Sequence, residues 1–232
     1  MQVSKTILTG HRDADLAIMN TMDDKSLFRF CMVDPKNEYL KNLCNNESFW
    51  RNKFLKKFGE QILSFKNPAK TIKKFYLELS YYDDKYLAQE IQVPEHLKNL
   101  HNLPPMIGGI AITPEMLENV RRTFIRSKFD DALKEAARGG MKNVDVINYL
   151  IFKGATNLNP GMIQAAEKGN KKLVEFFIRK GANDMNKGLT AALKSGNSDL
   201  IAFFKAKGGQ DTSFMEGLIK RENNNSMGGA FY

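Results

Sequence analysis

Residues 162–197 read MIQAAEKGNKKLVEFFIRKGANDMNKGLTAALKSGN. Within it the pair Gly169-Asn170 recurs as Gly196-Asn197, 27 residues later. Self-similarity at a fixed period is the sequence signature of repeat proteins, whose units bury a core only by stacking. The repeat therefore governs how the second half of the chain is interpreted.

The recurrence covers three consecutive segments of the chain. Each segment reads as a short Ala-rich helix, a turn, a longer helix with pairs of apolar residues, and a closing glycine. These glycines, Gly154, Gly181 and Gly208, are again 27 residues apart, and glycine supplies the left-handed residue that ends many helices. The first segment carries three extra residues between its helices.

This helix–turn–helix–glycine unit resembles the ankyrin repeat over about residues 130–220. The unit is about six residues shorter than the usual ~33, and the missing residues lie after Gly-Ala. The resemblance therefore implies hairpin fingers reduced to tight loops. GATNLNPGM and GANDMNKGL are similar to short repeats found in tandem in giant DNA viruses of amoebae. Helices at 114–126 and 211–221 are expected to cap the ends of the array.

The first 92 residues indicate a separate set of helices, with start signals at Asp24, Pro35, Asn46 and Asn67-Pro68. Residues 43–59, LCNNESFWRNKFLKKFG, place Trp50, Phe54 and Phe58 on one helical face and most of the basic residues on the other. A platform for single-stranded nucleic acid would instead need exposed aromatic rings beside the charge. The pattern favours a helix packed on a core.

Residues 6–58 resemble the F-box through TGHRDADL, MDDKSLFRFCMV and LCNNESFWRNKF, in that order. The usual Leu-Pro near the start of the motif is absent, with Ala14–Leu16 in its place. The resemblance implies docking on a host Skp-type adaptor of a cullin–RING ubiquitin ligase. The residues carried over as adaptor contacts are Leu16, Ile18, Met19, Leu27, Phe28, Cys31, Leu43, Cys44 and Trp50. For each of them the alternative is a place in the core of the module.

The ankyrin resemblance also implies that a protein target, still unknown, binds to the first helices and loops of the array. Polar and charged side chains there are the candidates, with a merely solvated face as the alternative. They are Gln164, Glu167, Lys168, Asn183, Asp184, Asn186, Lys187, Lys194 and Ser195.

Composition limits the other classes of function. The formal charge of +9 is spread over both halves, without a polybasic run, so nucleic acid ranks below protein as a partner. Glycine-rich phosphate loops are absent, and two cysteines and three histidines do not suggest a metal site. The sequence thus predicts no enzyme, no cofactor and no metal.

Two cysteines do not form a disulfide framework, and no signal-like or membrane-spanning segment is seen. We expect a soluble protein of a reducing compartment, the host cytoplasm or nucleus.

The sequence as a whole predicts an all-α protein: an F-box-like module, then a short ankyrin-like solenoid. The predicted segments are a domain at 1–92, a linker at 93–113, repeats with capping helices at 114–221, and a tail at 222–232. The leading functional hypothesis is an adaptor that recruits a target for ubiquitylation. The alternatives are a binding or structural protein with no ubiquitin role and, ranked lower, a nucleic-acid-associated protein.

Overall fold

The structure is a computed structural model that divides into two compact units, Met1–Ala88 and Gln89–Tyr232. The residues it describes are 8–87, 106–107, 110–111 and 114–211. The predicted tail, all of the predicted 211–221 cap except Asp211, and most of the predicted linker lie outside the described residues. The described part is helical apart from one short antiparallel ladder, in agreement with the predicted all-α class.

Helices make up most of the first unit. Their bounds are α1 Arg12–Thr21, α2 Asp24–Met32, α3 Glu38–Cys44, α4 Glu47–Phe58, α5 Glu60–Leu63 and α6 Ile72–Tyr82, with a π-helical turn at Asp83–Leu87. The Asn46 side chain caps α4 by accepting from the Phe49 amide at 2.9 Å, as predicted. The other three predicted starts are wrong by one to four residues: the caps are Asp23, Asn37 and Thr71.

The core of the first unit is aromatic. Trp50 and Phe54 on α4 face Phe75 and Tyr76 on α6, with ring centroids 5.3 Å apart for Phe54–Phe75 and 5.4 Å for Trp50–Tyr76. The Trp50 indole Nε1 donates to the carbonyl oxygen of Cys44 at 2.8 Å, so its one polar atom is satisfied inside the core. The helix formed by the 43–59 stretch is therefore packed, as its pattern predicts.

A buried carboxylate holds the chain where it enters α1. Asp15 accepts hydrogen bonds from the backbone amides of Thr9 and Gly10 at 2.7 and 3.1 Å, and from the Tyr39 hydroxyl at 2.6 Å. The bond to this carboxylate raises the pKa of Tyr39 to about 12. Desolvation raises the pKa of Asp15, but the hydrogen bonds outweigh it, and the pKa lies below its ordinary value.

Cys31 on α2 and Cys44 at the end of α3 are joined by a disulfide. A single bond is not a disulfide framework, but it counts against the reducing compartment expected from the sequence, because disulfides persist mainly in oxidising environments. The sequence could not reveal the pairing, because the two cysteines meet only once α2 and α3 have packed together.

Reduction of this disulfide is expected to destabilise the first unit by about 3 kcal/mol, because the bond closes a short loop in the unfolded chain. The two cysteines are 13 residues apart in sequence. Urea unfolding with and without a phosphine reductant measures the change. A Cys31→Ser/Cys44→Ser variant is the control and should not respond to reductant. Identical unfolding midpoints for the native chain under both conditions would contradict the prediction.

The second unit consists of one long helix followed by alternating shorter ones. Its elements are β1 Met106–Ile107, β2 Ile110–Ala111, α7 Pro114–Arg138, a 3-10 turn at Gly140–Asn143, α8 Val144–Phe152, α9 Asn159–Glu167, α10 Lys171–Arg179, α11 Met185–Ser195 and α12 Ser198–Ala206. The separate capping helix expected at 114–126 is wrong, because it continues without a break into the first repeat. The antiparallel β1–β2 ladder lies in the predicted linker, where no strand was expected.

The helices of the second unit form two layers. The first helices of the repeats, α7, α9 and α11, pack side by side, and each of α8, α10 and α12 packs on the helix preceding it. The connections at 153–158 and 180–184 contain no strand. Ala136, Ala165, Ala166 and Ala192 are buried in the first layer, where small side chains let neighbouring helices approach closely.

The two layers meet at a repeated glycine–phenylalanine contact. A Cβ atom added to Gly161 would lie 2.4 Å from the ring of Phe177, and one added to Gly188 would lie 2.3 Å from the ring of Phe204. Both rings are fully buried. The glycines are therefore required by packing, because the rings occupy the space that a side chain would fill.

Asparagine side chains tie each repeat to the next. The Asn159 carbonyl oxygen accepts from the backbone amides of Asn183 and Asp184 at 2.8 and 3.0 Å. One period later, Asn186 accepts from the Gln210 amide at 2.8 Å. These bonds satisfy the backbone of the short connections, in place of the ladder that a hairpin finger would supply.

Candidate interaction surfaces

The outward face of α2 carries three large apolar side chains. Phe28, Met32 and Val33 are 51%, 59% and 55% exposed, and the first two are four residues apart on the same helical face. Lys25, Arg29 and the residues that follow Val33 surround them with polar and charged groups. An exposed apolar cluster with a polar rim is typical of a protein-binding surface. We call these three residues the α2 patch.

The other predicted adaptor contacts are mostly inaccessible. Met19, Leu27, Leu43 and Trp50 are buried in the core of the first unit, which corrects their assignment to a surface. Cys31 and Cys44 are bonded to each other, and Cys44 is also buried. These six residues hold the unit together, the alternative that the sequence left open for each of them.

Leu16, Ile18 and Phe28 remain accessible among the predicted contacts, the first two only in part. Met32 and Val33 are exposed residues that the sequence reasoning missed. The spacing of four between Phe28 and Met32 was the available signal. Leu27 and Phe28 are adjacent in sequence, but the Leu27 side chain is buried and the Phe28 side chain is exposed.

A charged cluster joins α2, α4 and α6 beside a cleft of about 400 Å³. Asp24 accepts from Lys57 at 2.7 Å and from the Tyr76 hydroxyl at 2.6 Å, with the Lys53 ammonium 3.5 Å away. Lys57 also donates to the Ser80 hydroxyl at 3.1 Å. Each of these charged groups has a partner within the cluster, an arrangement that clamps three helices together.

Two acidic groups of this cluster, Asp24 and Tyr76, have shifted pKa values. Burial raises the pKa of Asp24, but the hydrogen bonds from Lys57 and Tyr76 and the charges of both lysines outweigh it, so the pKa lies below its usual value. Burial and the bond to Asp24 raise the pKa of Tyr76 far above its usual value. Neither group is poised to exchange a proton near neutral pH, so the cluster lacks the features of an acid–base centre.

Replacing Asp24 by asparagine is expected to lower the free energy of unfolding by about 2 kcal/mol near neutral pH, because the lysines lose their counter-charge. The native pKa lies below the unfolded one, so the carboxylate stabilises the fold above about pH 4. That contribution is lost as the pH falls through the lowered native value. Urea unfolding of both proteins as a function of pH should give curves that converge in acid.

The matched control for Asp24 is Glu38→Gln, which removes a carboxylate from the exposed pair of Glu38 and Lys41 on α3. That change should cost less than about 0.5 kcal/mol at any pH. An equal effect of the two substitutions would contradict the role assigned to the cluster.

In the second unit the predicted target-binding residues divide into accessible and structural ones. Glu167, Lys168, Asn183, Lys187 and Lys194 are exposed. The others support the repeats: Gln164 is buried and bonded to Arg138 and Glu167, Asp184 caps α11, Asn186 binds the next connection, and Ser195 donates to the Ala192 carbonyl oxygen.

The exposed members also lie in two separate places. Asn183 and Lys187 are at the start of α11, whereas Glu167, Lys168 and Lys194 are at the ends of α9 and α11. Seven residues of helix separate Lys187 from Lys194, a rise of about 10 Å. The exposed members of the set therefore lie at both ends of α11 and at the end of α9, and the four structural ones are engaged within the repeats.

In the part of the chain that the structure describes, no group of three or more His, Cys, Asp or Glu side chains is placed to hold a metal ion. None of the described helices combines the length and apolar character needed to cross a membrane.

Two accessible features of the described residues are candidates for binding a partner: the α2 patch and the charged outer surfaces of the repeats. The chain has no match among family models, curated proteins or solved structures.

Proposed function

We propose that this protein is a protein-interaction adaptor with one binding surface in each unit. The first unit would be an F-box-like module that docks on a host Skp-type adaptor of a cullin–RING ligase. The second would be an ankyrin-like solenoid that holds a target for ubiquitylation. On this proposal the protein is of viral origin and binds its partners inside the host cell, where a reducing compartment would open the Cys31–Cys44 bond.

The observation that carries the proposal is the α2 patch. Its three apolar side chains project from a unit whose own core is already filled by Trp50 and its neighbours. Apolar anchors of this size dominate binding when a partner's helices cover them. The order of the short motifs over residues 6–58 supplies the identity of the partner.

A binding measurement between the full chain and a purified Skp-type adaptor tests the proposal. Phe28→Glu/Met32→Glu should weaken binding at least about tenfold, because a hot-spot residue contributes 1 kcal/mol or more. The control Met141→Glu changes a comparably exposed apolar residue of the second unit. Lack of a complex with the unaltered chain, or equal binding by both variants, would refute adaptor docking through this patch.

The second candidate function is a binding or structural protein without a ubiquitin role. It is favoured by the burial of Met19, Leu27, Leu43 and Trp50, which leaves few of the motif residues available to an adaptor. It predicts that the chain captures partners through the second unit while the first binds no Skp-type adaptor. Nucleic-acid association, suggested by the charge of +9, is the third candidate.

A further inference from the structure

The second helices of the repeats end in a row of basic residues. Lys153, Lys180 and Lys207 occupy the same position, immediately after the last residue of α8, α10 and α12. Each ammonium group lies over an aromatic ring four residues earlier, with its nitrogen 5.8 or 5.9 Å from the ring centroid. We call these three lysines the lysine row.

The row is a region of unneutralised charge. Arg179 and Lys205 lie beside it, and the last turns of the three helices contain no acidic residue. Among the residues of 114–211 whose side chains are described, no carboxylate lies within ion-pair distance of these five basic groups, all of them exposed. Elsewhere Lys53, Lys57 and other lysines do pair with carboxylates.

The layered packing places the row on one side of the unit. Each of α8, α10 and α12 packs on one of the side-by-side helices α7, α9 and α11, and the Lys171 ammonium of α10 lies 5.8 Å from the ring centroid of Phe203 on α12. Repetition of this arrangement is expected to bring the three helix ends to one edge of the unit. Packed helices are about 8–10 Å apart, which sets the approximate spacing between successive lysines.

One lysine at each helix end has a structural explanation, since a cation there interacts favourably with the last carbonyl groups. This explanation does not cover Arg179 and Lys205. Arg179 adds a second positive charge at the end of α10, and Lys205 adds a second one at the end of α12. Five positive charges without a counter-ion repel one another, and a negatively charged ligand would relieve this repulsion.

The geometry favours an acidic polypeptide over nucleic acid. Each ring beneath the row lies near an ammonium group, and Tyr149 is buried. Of the described aromatic rings at these helix ends, Phe152 beside Lys153 is the one that is largely exposed. Single-stranded nucleic acid is bound on a succession of exposed rings, and one such ring does not supply it. Phosphate recognition also favours the forked guanidinium, whereas the row itself is lysine. Carboxylates on every third residue of a polyproline II segment recur at about 9 Å, close to the repeat spacing.

We propose that the lysine row binds an acidic segment of a protein target, with one carboxylate or more for each repeat. This inference deepens the proposed function, since it assigns the chemistry of the target to the second unit. It does not depend on adaptor docking by the first unit.

The test uses the full-length protein and a fluorescein-labelled polyglutamate peptide of about 20 residues, long enough at about 3.1 Å per residue to span the row. Fluorescence anisotropy at low and physiological ionic strength should show binding that salt weakens. Lys153→Gln/Lys180→Gln/Lys207→Gln should weaken it about tenfold, because three surface charge pairs contribute roughly 0.5 kcal/mol each.

The control is Lys25→Gln/Lys36→Gln/Lys56→Gln, which removes the same charge from exposed sites in the first unit and should cost less than about threefold. Replacing the row by arginine should retain binding. Equal losses in the two glutamine triples, no binding by the unaltered protein, or tighter row-dependent binding of an oligothymidylate of equal charge would each overturn the proposal.

Carbodiimide crosslinking of the peptide to the unaltered protein provides a measurement that needs no variant. Crosslinks should map to the lysine row, and crosslinks confined to the first unit would overturn the assignment. Skp-type adaptor binding, measured on the same preparations, separates the two proposals. Loss of the row should leave adaptor binding unchanged, and loss of the α2 patch should leave peptide binding unchanged.

Discussion

Replacing Trp50 by alanine is expected to lower the free energy of unfolding by about 4 kcal/mol, as for other large aromatic residues removed from a core. Trp50 is 1% exposed, and its ring contacts Phe49 and Tyr76 at centroid distances of 5.3 and 5.4 Å. The substitution removes these contacts and leaves the Cys44 carbonyl oxygen without its donor. We expect the substitution to destabilise the first unit and not the second.

The measurement is urea unfolding followed by far-ultraviolet circular dichroism, since the chain has only one tryptophan and the variant would have none to report by fluorescence. Trp50→Phe separates two contributions, because it keeps most of the ring but not the donor. It should cost about 1–3 kcal/mol. A loss below about 1 kcal/mol for Trp50→Ala, the size of an ordinary surface change, would contradict the packed role.

Replacing Phe177 by alanine is expected to cost about 4 kcal/mol, because the ring fills the space between the two helix layers of its repeat. Gly161 lies directly beneath that ring. In the unaltered chain, Gly161→Ala should be destabilising by about 1 kcal/mol, because overpacking outweighs the better helix propensity of alanine. In the Phe177→Ala background the same change should stabilise by about 1 kcal/mol, since the obstruction is gone.

The reversal of sign is what distinguishes steric contact from a general effect on α9. A double-mutant cycle from urea unfolding should give a coupling energy of about 2 kcal/mol, within the range for residues in contact. Gly188 and Phe204 offer an internal replicate one period later. If Gly161→Ala stabilises both backgrounds equally, the two residues do not compete for space.

In the first repeat, both positions of this contact hold other residues. Asp131 stands there in place of the glycine, and Leu150 in place of the phenylalanine. A branched aliphatic residue reaches less far than a phenyl ring, so a Cβ is tolerated opposite it.

Features set by local chemistry could be predicted from the sequence. The periodic helix pairs and the Asn46 cap depend on residues within a few positions of one another, and both were found. The cap of α2 was assigned to Asp24 instead of Asp23, because two adjacent aspartates can both cap. Only packing shows that Asp24 turns inward to Lys57 and Tyr76.

Features set by contacts between distant segments could not be predicted in this way. Leu27 and Phe28 are adjacent apolar residues, but about 100° separates them around a helix, and the fold buries only one. The Cys31–Cys44 bond and the tie from Asn159 to the next connection likewise require the folded arrangement. The sequence therefore indicated apolar residues on α2 but not which of their side chains the fold leaves exposed.

The glycine–phenylalanine contacts have a consequence for how this chain could change over evolutionary time. Residues 162–188 contain Phe177, which packs on Gly161 before the segment, and Gly188, which packs on Phe204 after it. In a tandem duplication of this segment, Gly188 of the first copy would pack on Phe177 of the second copy, so no compensating substitution would be needed. It would also add one lysine to the row and about 10 Å to its length. Duplication of this gene segment could thus lengthen the lysine row to match a longer acidic ligand.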